Sequence, residues 1–137
     1  MNITNKKRVA AVIIEDNKIL LIKRVKPGVE YYTLPGGTVE SSEGLEDAMR
    51  REAQEELSVK VEIERLLFEI EGENRKDWYY LIAKGVKNVK LGGPEAERMN
   101  SGNQYQLEWV TREGLEKLSN FHPAAQGKDK AKIIDLW

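Results

Sequence analysis

The sequence predicts an α/β domain in which helices cover a mixed sheet, and three features carry that prediction. Residues 9–14 are nearly all apolar, which is typical of a strand buried on both faces. Residues 45–57 are rich in strong helix formers and contain no β-branched residue, which favours one long helix with Gly44 as its N-cap. Shorter segments of alternating or continuous apolar residues flank this helix and are predicted to be strands.

The remaining elements follow from turn residues and from the spacing of apolar side chains. Residues 15–17 predict a turn, and residues 18–23 then form the returning strand of a hairpin. Residues 25–32 contain Pro27 and Gly28 and are predicted to be a loop. The other predicted elements are an extended piece at 33–37, strands over 59–71, 77–86 and 105–109, a short helix capped by Thr111 and a last helix over about 127–137.

Length, charge and cysteine content exclude several classes of protein. The 137 residues suit one domain, 1–137. The 22 Lys and Arg residues against 23 Asp and Glu residues leave a net charge of -1, which argues against a nucleic-acid partner. With no cysteine and one histidine, the chain has no disulfide, no thiolate nucleophile and no multi-His metal site. Apolar runs are too short for a membrane helix or a signal peptide, so we expect a cytoplasmic protein without a membrane partner.

The predicted long helix carries carboxylates on its apolar side. On a wheel of about 100° per residue, Glu52 and Glu56 fall within the stripe that should face the sheet, and Glu55 lies at its edge. Burying several unpaired carboxylates together is costly, and a divalent cation at this position would remove the repulsion. The alternative is a surface helix whose glutamates lie at the rim of the stripe and pair with Lys or Arg.

From Gly37, the sequence has Glu43 after five residues, Arg51-Glu52 after seven more, and then Glu55-Glu56. This spacing resembles the Nudix box of the MutT-like hydrolases, G-x5-E-x7-R-E-U-x-E-E-x-G-U, where U is a bulky aliphatic residue. Two positions depart from the pattern: Ala53 replaces an aliphatic residue and Ser58 replaces the glycine. Both departures concern helix packing and the helix end more than the chemistry. The flanking segments 34–37 and 108–110 also fit, so the resemblance spans most of the chain and implies an α/β/α sandwich with a mixed central sheet. The matching residues are Gly37, Glu43, Arg51, Glu52, Glu55 and Glu56.

The resemblance implies a hydrolase that uses Mg²⁺ or Mn²⁺ to cleave the diphosphate of a nucleoside diphosphate linked to a further group X. By position, Glu52 and Glu56 match the core metal ligands and Glu55 matches a further ligand. The backbone carbonyl of Gly36 matches the carbonyl ligand. Such a set makes physical sense, because cleavage of a diphosphate needs neutralised charge and a positioned water more than covalent help.

The resemblance also implies roles other than metal binding: a general base, residues that position it, and glycines that allow close approach. In several members the glutamate matching Glu52 doubles as the general base. Arg51 and Glu43 are expected to pair with each other and to orient Glu52. Gly36 and Gly37 let the backbone approach a metal or phosphate without a Cβ, which places Gly37 beside the substrate; a plain tight turn is the alternative.

Residues outside the box add weaker candidates. Arg24 and Lys23 end the second strand, where family members often contact substrate phosphate, although a solvated strand end is equally compatible. Glu95 and Glu97 lie in a late polar loop and are candidates for an additional ligand or base, with surface charge as the alternative. Some tyrosines are candidates for stacking on a nucleobase, although packing is the favoured interpretation: Tyr31, Tyr32 and Tyr105.

The sequence favours a nucleoside triphosphate, (d)NTP, as substrate, with a nucleoside monophosphate and pyrophosphate as products. Residues 72–76 lack the proline that ADP-ribose-cleaving members usually carry after the box, and residues 121–126 lack the asparagine of members that act on 8-oxo-dGTP. A nucleotide-binding sensor without turnover is the alternative, but such modules usually lose box carboxylates, and none is lost here. A charged structural helix is a third option and predicts no metal binding. Homodimers are common in the family, so the resemblance also allows a homodimer.

Overall fold

The computed structural model describes residues 6–92, 102, 104–121 and 128–137. Eight strands and three helices are found in these residues. The strands are β1 (Lys6–Val12), β2 (Ile14–Glu15), β3 (Lys18–Lys26), β4 (Val29–Thr33), β5 (Gly36–Thr38), β6 (Ile63–Glu71), β7 (Arg75–Ile82) and β8 (Gln104–Thr111). The helices are α1 (Leu45–Leu57), α2 (Arg112–Lys117) and α3 (Lys128–Leu136).

A mixed sheet supports α1 on one of its faces. Its strand order is β5-β1-β7-β6, with β1 parallel to β7 and antiparallel to β5, and with β6 antiparallel to β7. Val9 and Ala11 of β1 are buried in one core with Ala48, Met49 and Ala53 of α1. The predicted α/β class and mixed sheet are therefore confirmed.

A second, purely antiparallel sheet is centred on β3, which pairs with β2, β4 and β8. Ile19 and Leu21 of β3 lie in a separate core with Leu115 of α2 and Ile133 of α3. Because α1 and the α2–α3 pair pack on different cores, helices flank the strands on two sides. Among the described residues, no helix is long and apolar enough to cross a membrane.

The predicted loop over residues 25–32 is wrong, because this segment forms most of a β-hairpin. β3 continues to Lys26 and β4 begins at Val29, so Pro27 and Gly28 occupy only a two-residue turn. Gly28 has a φ of +74° there. The two strands stay paired up to the turn, with Lys23 opposite Tyr32 and Lys26 opposite Val29, and this cross-strand pairing outweighs the local turn signal.

Other elements have the predicted type but begin or end at different residues than predicted. β6 begins at residue 63 instead of 59, and β7 covers residues 75–82 instead of 77–86. The turn after β2 is confirmed at Asp16 and Asn17, whose φ values of +50° and +62° are those of a tight hairpin turn. The two predicted caps are also confirmed: Gly44 is the N-cap of α1, and Thr111 Oγ1 accepts from Gly114 N at 3.0 Å at the start of α2.

Candidate active site

The glutamates of α1 differ sharply in exposure. Glu56 is 2% exposed, the side chain of Glu52 is 16% exposed, and that of Glu55 is 47% exposed. The wheel prediction that Glu52 and Glu56 point inward and that Glu55 lies at the edge is therefore confirmed. Buried carboxylates are costly, so the groups facing them decide what this site can bind.

A glycine pair on β5 faces the two inward carboxylates. Gly36 N donates to Glu56 Oε1 at 2.8 Å. A Cβ on Gly37 would fall on the carboxyl group of Glu52, and a Cβ on Gly36, at φ +154°, would collide with the Val9 carbonyl oxygen. Both glycines are needed for close approach, because they let β5 lie against β1 and against the carboxylates at the same time. We call Gly36, Gly37, Glu52 and Glu56 the glycine–glutamate cradle.

Arg51 braces the cradle from the exposed side of α1. Its guanidinium forms a two-pronged ion pair with Glu43, with Nε to Oε2 at 2.8 Å and Nη2 to Oε1 at 3.0 Å. Nη2 also donates to the Thr38 carbonyl oxygen at 3.0 Å, and Nη1 donates to Glu52 Oε1 at 3.0 Å and Glu55 Oε2 at 3.2 Å. The structure thus brings together Arg51, Glu43 and Glu52, with Thr38 of β5 as an additional partner.

The ion pair between Arg51 and Glu43 favours the charged form of each side chain. The hydrogen bond to Glu43 raises the pKa of Arg51, burial opposes that shift, and the charges of Glu52 and Glu43 add to it. The hydrogen bond from Arg51 lowers the pKa of Glu43, and the Glu40 backbone N–H, 3.0 Å from Glu43 Oε1, lowers it further. The Glu43 carboxylate therefore stays ionised and holds the guanidinium in place over Glu52.

The end of α1 is secured by contacts that the sequence did not reveal. Ser58, at the position of the box glycine, is the C-cap residue and has left-handed φ and ψ values of 60° and 32°. The chain then returns past the helix end, where Lys90 N donates to the Leu57 carbonyl oxygen and Gly92 N to the Glu56 carbonyl oxygen, each at 2.9 Å. These bonds fix the last turn of α1, which carries Glu56, from a segment over thirty residues away in sequence.

The two basic candidates on β3 point to opposite faces of the strand, as neighbouring strand residues do. Arg24 lies on the same face as Leu20, which packs in the core beneath α1. Its Nε donates to Thr33 Oγ1 at 3.4 Å, and its Cζ lies 4.8 Å from the centroid of the Tyr105 ring. Lys23, on the other face, pairs with Glu30 at 3.2 Å. Arg24 is therefore the better placed of the two to face the α1 side.

The three candidate tyrosines pack beside basic side chains of β3. Tyr105 is 6% exposed beneath Arg24. The Tyr32 ring lies 6.0 Å from Lys23 Nζ, and the Tyr31 ring lies 6.0 Å from Lys26 Nζ. Two further candidates, Glu95 and Glu97, fall outside the described residues.

The donor chemistry of the cradle fits a hard divalent cation. Within the described ranges, no group of three or more His, Cys, Asp or Glu side chains is arranged to hold an ion. The cradle instead offers two carboxylates against the backbone of a glycine strand that leaves no room for a Cβ. Carboxylate and carbonyl oxygens are the donors that Mg²⁺ prefers, and Mg²⁺ usually takes only one or two carboxylates, with waters and substrate phosphates completing its shell.

Comparison with known proteins agrees with this geometry. The profile of the NUDIX domain family matches residues 4–135. An ADP-ribose pyrophosphatase of Methanocaldococcus jannaschii is 45% identical over 60 residues, which is 43% of this chain and only 36% of that protein's length.

Solved structures extend the similarity to the whole fold. A MutT NUDIX hydrolase from Burkholderia pseudomallei has 26% identity and a TM-score of 0.67, with 95% of each chain covered. A MutT protein solved in work on Aliivibrio salmonicida and Vibrio cholerae has 22% identity and a TM-score of 0.74, covering 96% of this chain and 98% of its own. Since the family profile covers nearly the entire chain, this protein belongs to the NUDIX domain family.

Proposed function

We propose that this protein is a divalent-metal-dependent hydrolase that cleaves a diphosphate linkage in nucleoside diphosphate-X compounds. The observation that carries the proposal is the cradle, in which the 2%-exposed Glu56 and the half-buried Glu52 face Gly36 and Gly37. Burying two carboxylates side by side is costly, and a bound divalent cation would offset their mutual repulsion. Family membership and the pyrophosphatase relative support the same reaction class.

Glu52, Glu56 and the carbonyl of Gly36 would hold the ion, with Glu55 as a further ligand. Mg²⁺ or Mn²⁺ supplies charge neutralisation for the diphosphate and lowers the pKa of a water in its shell when it is bound. Glu55 Oε2 accepts from Arg51 Nη1 at 3.2 Å and the side chain is half exposed, so a role as ligand requires Glu55 to turn away from that pairing.

In this proposal, the residues of the cradle and their neighbours have separate roles in hydrolysis. Glu52 accepts the proton of the attacking water on a carboxylate oxygen as the phosphorus–oxygen bond of the anhydride breaks. Arg51 holds Glu52 in position, and Glu43 holds Arg51 by its two-pronged pair. The absence of a Cβ on Gly37 leaves space for the Glu52 carboxyl group, and the Gly37 backbone would lie beside the diphosphate. Arg24 would bind one of the phosphates, and Lys23, which pairs with Glu30, is the weaker candidate.

For the substrate, we propose a (d)NTP that is cleaved to a nucleoside monophosphate and pyrophosphate. This choice rests on the sequence, because residues 72–76 lack the proline that ADP-ribose-cleaving members usually carry. The MutT NUDIX hydrolase of B. pseudomallei, at 26% identity, supports the hydrolase class. The relative named as an ADP-ribose pyrophosphatase favours ADP-ribose as the second candidate. A sensor without turnover is disfavoured, since every box carboxylate is present and Glu52 and Glu56 meet at the cradle.

The test is a panel of (d)NTPs, nucleoside diphosphates and ADP-ribose, assayed with Mg²⁺ and separately with Mn²⁺. Pyrophosphate release from a triphosphate supports the first candidate, whereas AMP and ribose 5-phosphate from ADP-ribose support the second. Release of orthophosphate alone contradicts the (d)NTP assignment. Failure to hydrolyse any compound, together with nucleotide binding, favours the sensor instead.

Two broader features complete the proposal. We place the protein in the cytoplasm, with a small nucleotide-like molecule as its partner. A homodimer is a further proposal that follows from the family alone, and the elution volume in gel filtration tests it.

A further inference from the structure

The outer edge of β5 presents backbone groups beside the cradle. In the ladder between β1 and β5, Val39 N donates to the Lys7 carbonyl oxygen at 2.8 Å. Hydrogen-bonded and non-bonded pairs alternate in an antiparallel ladder, so the next pair, Arg8 with Thr38, is non-bonded. The N–H and C=O groups of Thr38 therefore point away from β1, as do those of Gly36 two residues earlier. We call these outward groups of Gly36 and Thr38 the β5 edge.

Contacts with α1 confirm this orientation at both ends of the β5 edge. Gly36 N donates to Glu56 Oε1 at 2.8 Å, and the Thr38 carbonyl oxygen accepts from Arg51 Nη2 at 3.0 Å. Since the outward groups follow the chain in the order N–H, C=O, N–H, C=O, the Gly36 carbonyl and the Thr38 N–H lie between these two contacts. Across the described ranges, the Thr38 N–H finds no hydrogen-bond acceptor. Thr38 is exposed, so a ligand can reach this donor.

The Thr38 N–H is held in position before any ligand binds. The preceding residue, Gly37, is paired with Val9 on the inner side of β5, and Arg51 holds the Thr38 carbonyl oxygen on the outer side. Gly37 also faces the carboxyl group of Glu52, so the donor lies one residue from the cradle carboxylate. A donor that is already oriented loses little conformational entropy when an acceptor arrives.

The β5 edge places an acceptor next to a donor, which suits a cation and an anion bound side by side. The carbonyl oxygen of Gly36 would bind the cation, and the N–H of Thr38 follows it along the same edge. A diphosphate joined to that cation through one oxygen keeps further anionic oxygens as acceptors. Backbone N–H groups are suitable donors to phosphate, and a hydrogen bond to a charged acceptor is stronger than one between neutral groups.

We propose that the backbone N–H of Thr38 binds a non-bridging phosphate oxygen of the diphosphate that is cleaved. This inference rests on the proposed function of the cradle, because the cation there brings the diphosphate to the β5 edge. Thr38 is then a substrate-binding residue through its main chain, and its side chain contributes little. The residue type does not encode such a donor, since its direction follows from the register of β5 on β1.

Amide NMR of the parent chain tests the contact directly, with methylenediphosphonate as a diphosphate that cannot be hydrolysed. With Mg²⁺ and this probe, we expect the Thr38 amide proton to move to higher frequency, because its N–H gains a charged acceptor. The Val39 amide is the matched control, since it already donates to the Lys7 carbonyl oxygen and should move less. A Thr38 resonance that moves no further than that of Val39 overturns the proposal.

Two substitutions separate the N–H from the side chain. Thr38→Pro removes the N–H at an edge position where proline is tolerated, and Thr38→Val keeps the N–H and loses only the hydroxyl group. For the best substrate of the panel, we expect Thr38→Pro to lower kcat/KM by about 10- to 100-fold, mainly through KM, and to weaken calorimetric binding of methylenediphosphonate similarly. Thr38→Val should retain most of this affinity, and equal losses in the two variants overturn the proposal. If thermal unfolding shows that Thr38→Pro does not fold, an ester in place of the Thr38 amide removes the same N–H and keeps the side chain.

The binding measurements distinguish failure of this proposal from failure of the hydrolase assignment. A Thr38 resonance that moves with methylenediphosphonate, without turnover of any compound by the parent chain, supports the contact and contradicts only the hydrolase activity. Turnover without a shift of the Thr38 resonance overturns the contact and leaves the hydrolase assignment in place. A parent chain that neither binds methylenediphosphonate nor hydrolyses any compound of the panel contradicts both.

Discussion

At the scale of single residues, Glu52 and Glu56 are stabilised by different kinds of partner. Glu56 is almost fully buried and accepts a neutral backbone N–H from Gly36, whereas Glu52 accepts from the cationic Arg51. A neutral donor offsets less of the cost of burying charge than a cation does. The Gly36 N–H requires only an acceptor, whereas Arg51 pairs with the charge of Glu52, so the two carboxylates should respond differently to removal of their charge.

Replacing Glu56 by glutamine tests the metal site most directly. The amide oxygen of Glu56→Gln retains an acceptor for Gly36 N, so we expect the fold to persist while affinity for Mg²⁺ falls by roughly tenfold or more and most activity disappears. Calorimetric titration with Mg²⁺ and turnover assays measure the two effects. Glu46→Gln, which removes an exposed charge paired with Arg50 at 3.4 Å on the same helix, is the control and should change neither. Turnover like that of the parent chain contradicts the ligand role of Glu56.

Replacing Glu52 by glutamine tests the general base. Glu52→Gln can still accept from Arg51 but cannot take up a proton, so kcat should fall by about 10²- to 10⁴-fold. Glu55→Gln, at the exposed edge of α1, serves for comparison and should cost less. If the two variants lose the same small fraction of kcat, Glu52 is not the base and the proton is accepted elsewhere.

The sequence identified these carboxylates but not everything they touch. A helical wheel is sufficient to place Glu52 and Glu56 inward, because the periodicity of a helix is local. The neighbours of the cradle are not local: Gly37 faces Glu52 only because β5 pairs with β1 in one particular register. The contact of Arg51 with the Thr38 carbonyl oxygen is not predicted from the sequence for the same reason, since Thr38 reaches Arg51 only through the pairing of β5 with β1.

At the scale of elements, the cradle depends on how α1 ends. Ser58 adopts left-handed backbone angles at this end. The N–H groups of Lys90 and Gly92 donate to the last carbonyl oxygens of α1. A non-glycine residue in the left-handed region costs free energy because its Cβ crowds the backbone. The departure of Ser58 from the box glycine therefore weakens the helix end and leaves the carboxylates in place.

Replacing Ser58 by glycine should relieve that cost. We expect Ser58→Gly to raise the free energy of unfolding by about 0.5–1 kcal/mol, since glycine adopts φ near +60° without crowding. Urea denaturation measures the change, and Ser58→Ala is the control because alanine keeps the crowded Cβ and should not stabilise the protein. Equal stability of the glycine and alanine variants contradicts the assignment of strain to this residue.

The elements themselves show where local signals suffice. The long helix and its cap at Gly44 are predicted from composition, and the turn at Asp16 and Asn17 from its residue types. The hairpin over residues 25–32 was missed because Pro27 and Gly28 are equally typical of a loop. Only the pairing of Val25 and Lys26 with the start of β4 distinguishes a two-residue turn from a longer loop.

At the scale of the whole molecule, two sheets meet where the sequence predicted one mixed sheet. The parallel pairing of β1 with β7 joins residues about seventy positions apart, and no local pattern encodes such a contact. The box resemblance supplied the sandwich architecture, and the match of the family profile to residues 4–135 supports it over nearly the full chain. Long-range pairing then brings β5, α1 and β7 together, so the cradle is a property of the complete fold.

Since the cradle forms only in the folded chain, a divalent cation should stabilise the whole domain. A ligand that binds the native state alone adds about 2.7 kcal/mol at 100 times its Kd, which for a domain of this size raises Tm by roughly 5–10 °C. Thermal unfolding with increasing Mg²⁺, and with EDTA as the metal-free reference, measures the shift. Glu56→Gln should abolish most of it, whereas the exposed Glu46→Gln should retain it. A Tm that does not respond to Mg²⁺ or Mn²⁺ in the parent chain would mean that the inward carboxylates of α1 serve the fold alone, because linkage requires any native-state ligand to stabilise the protein.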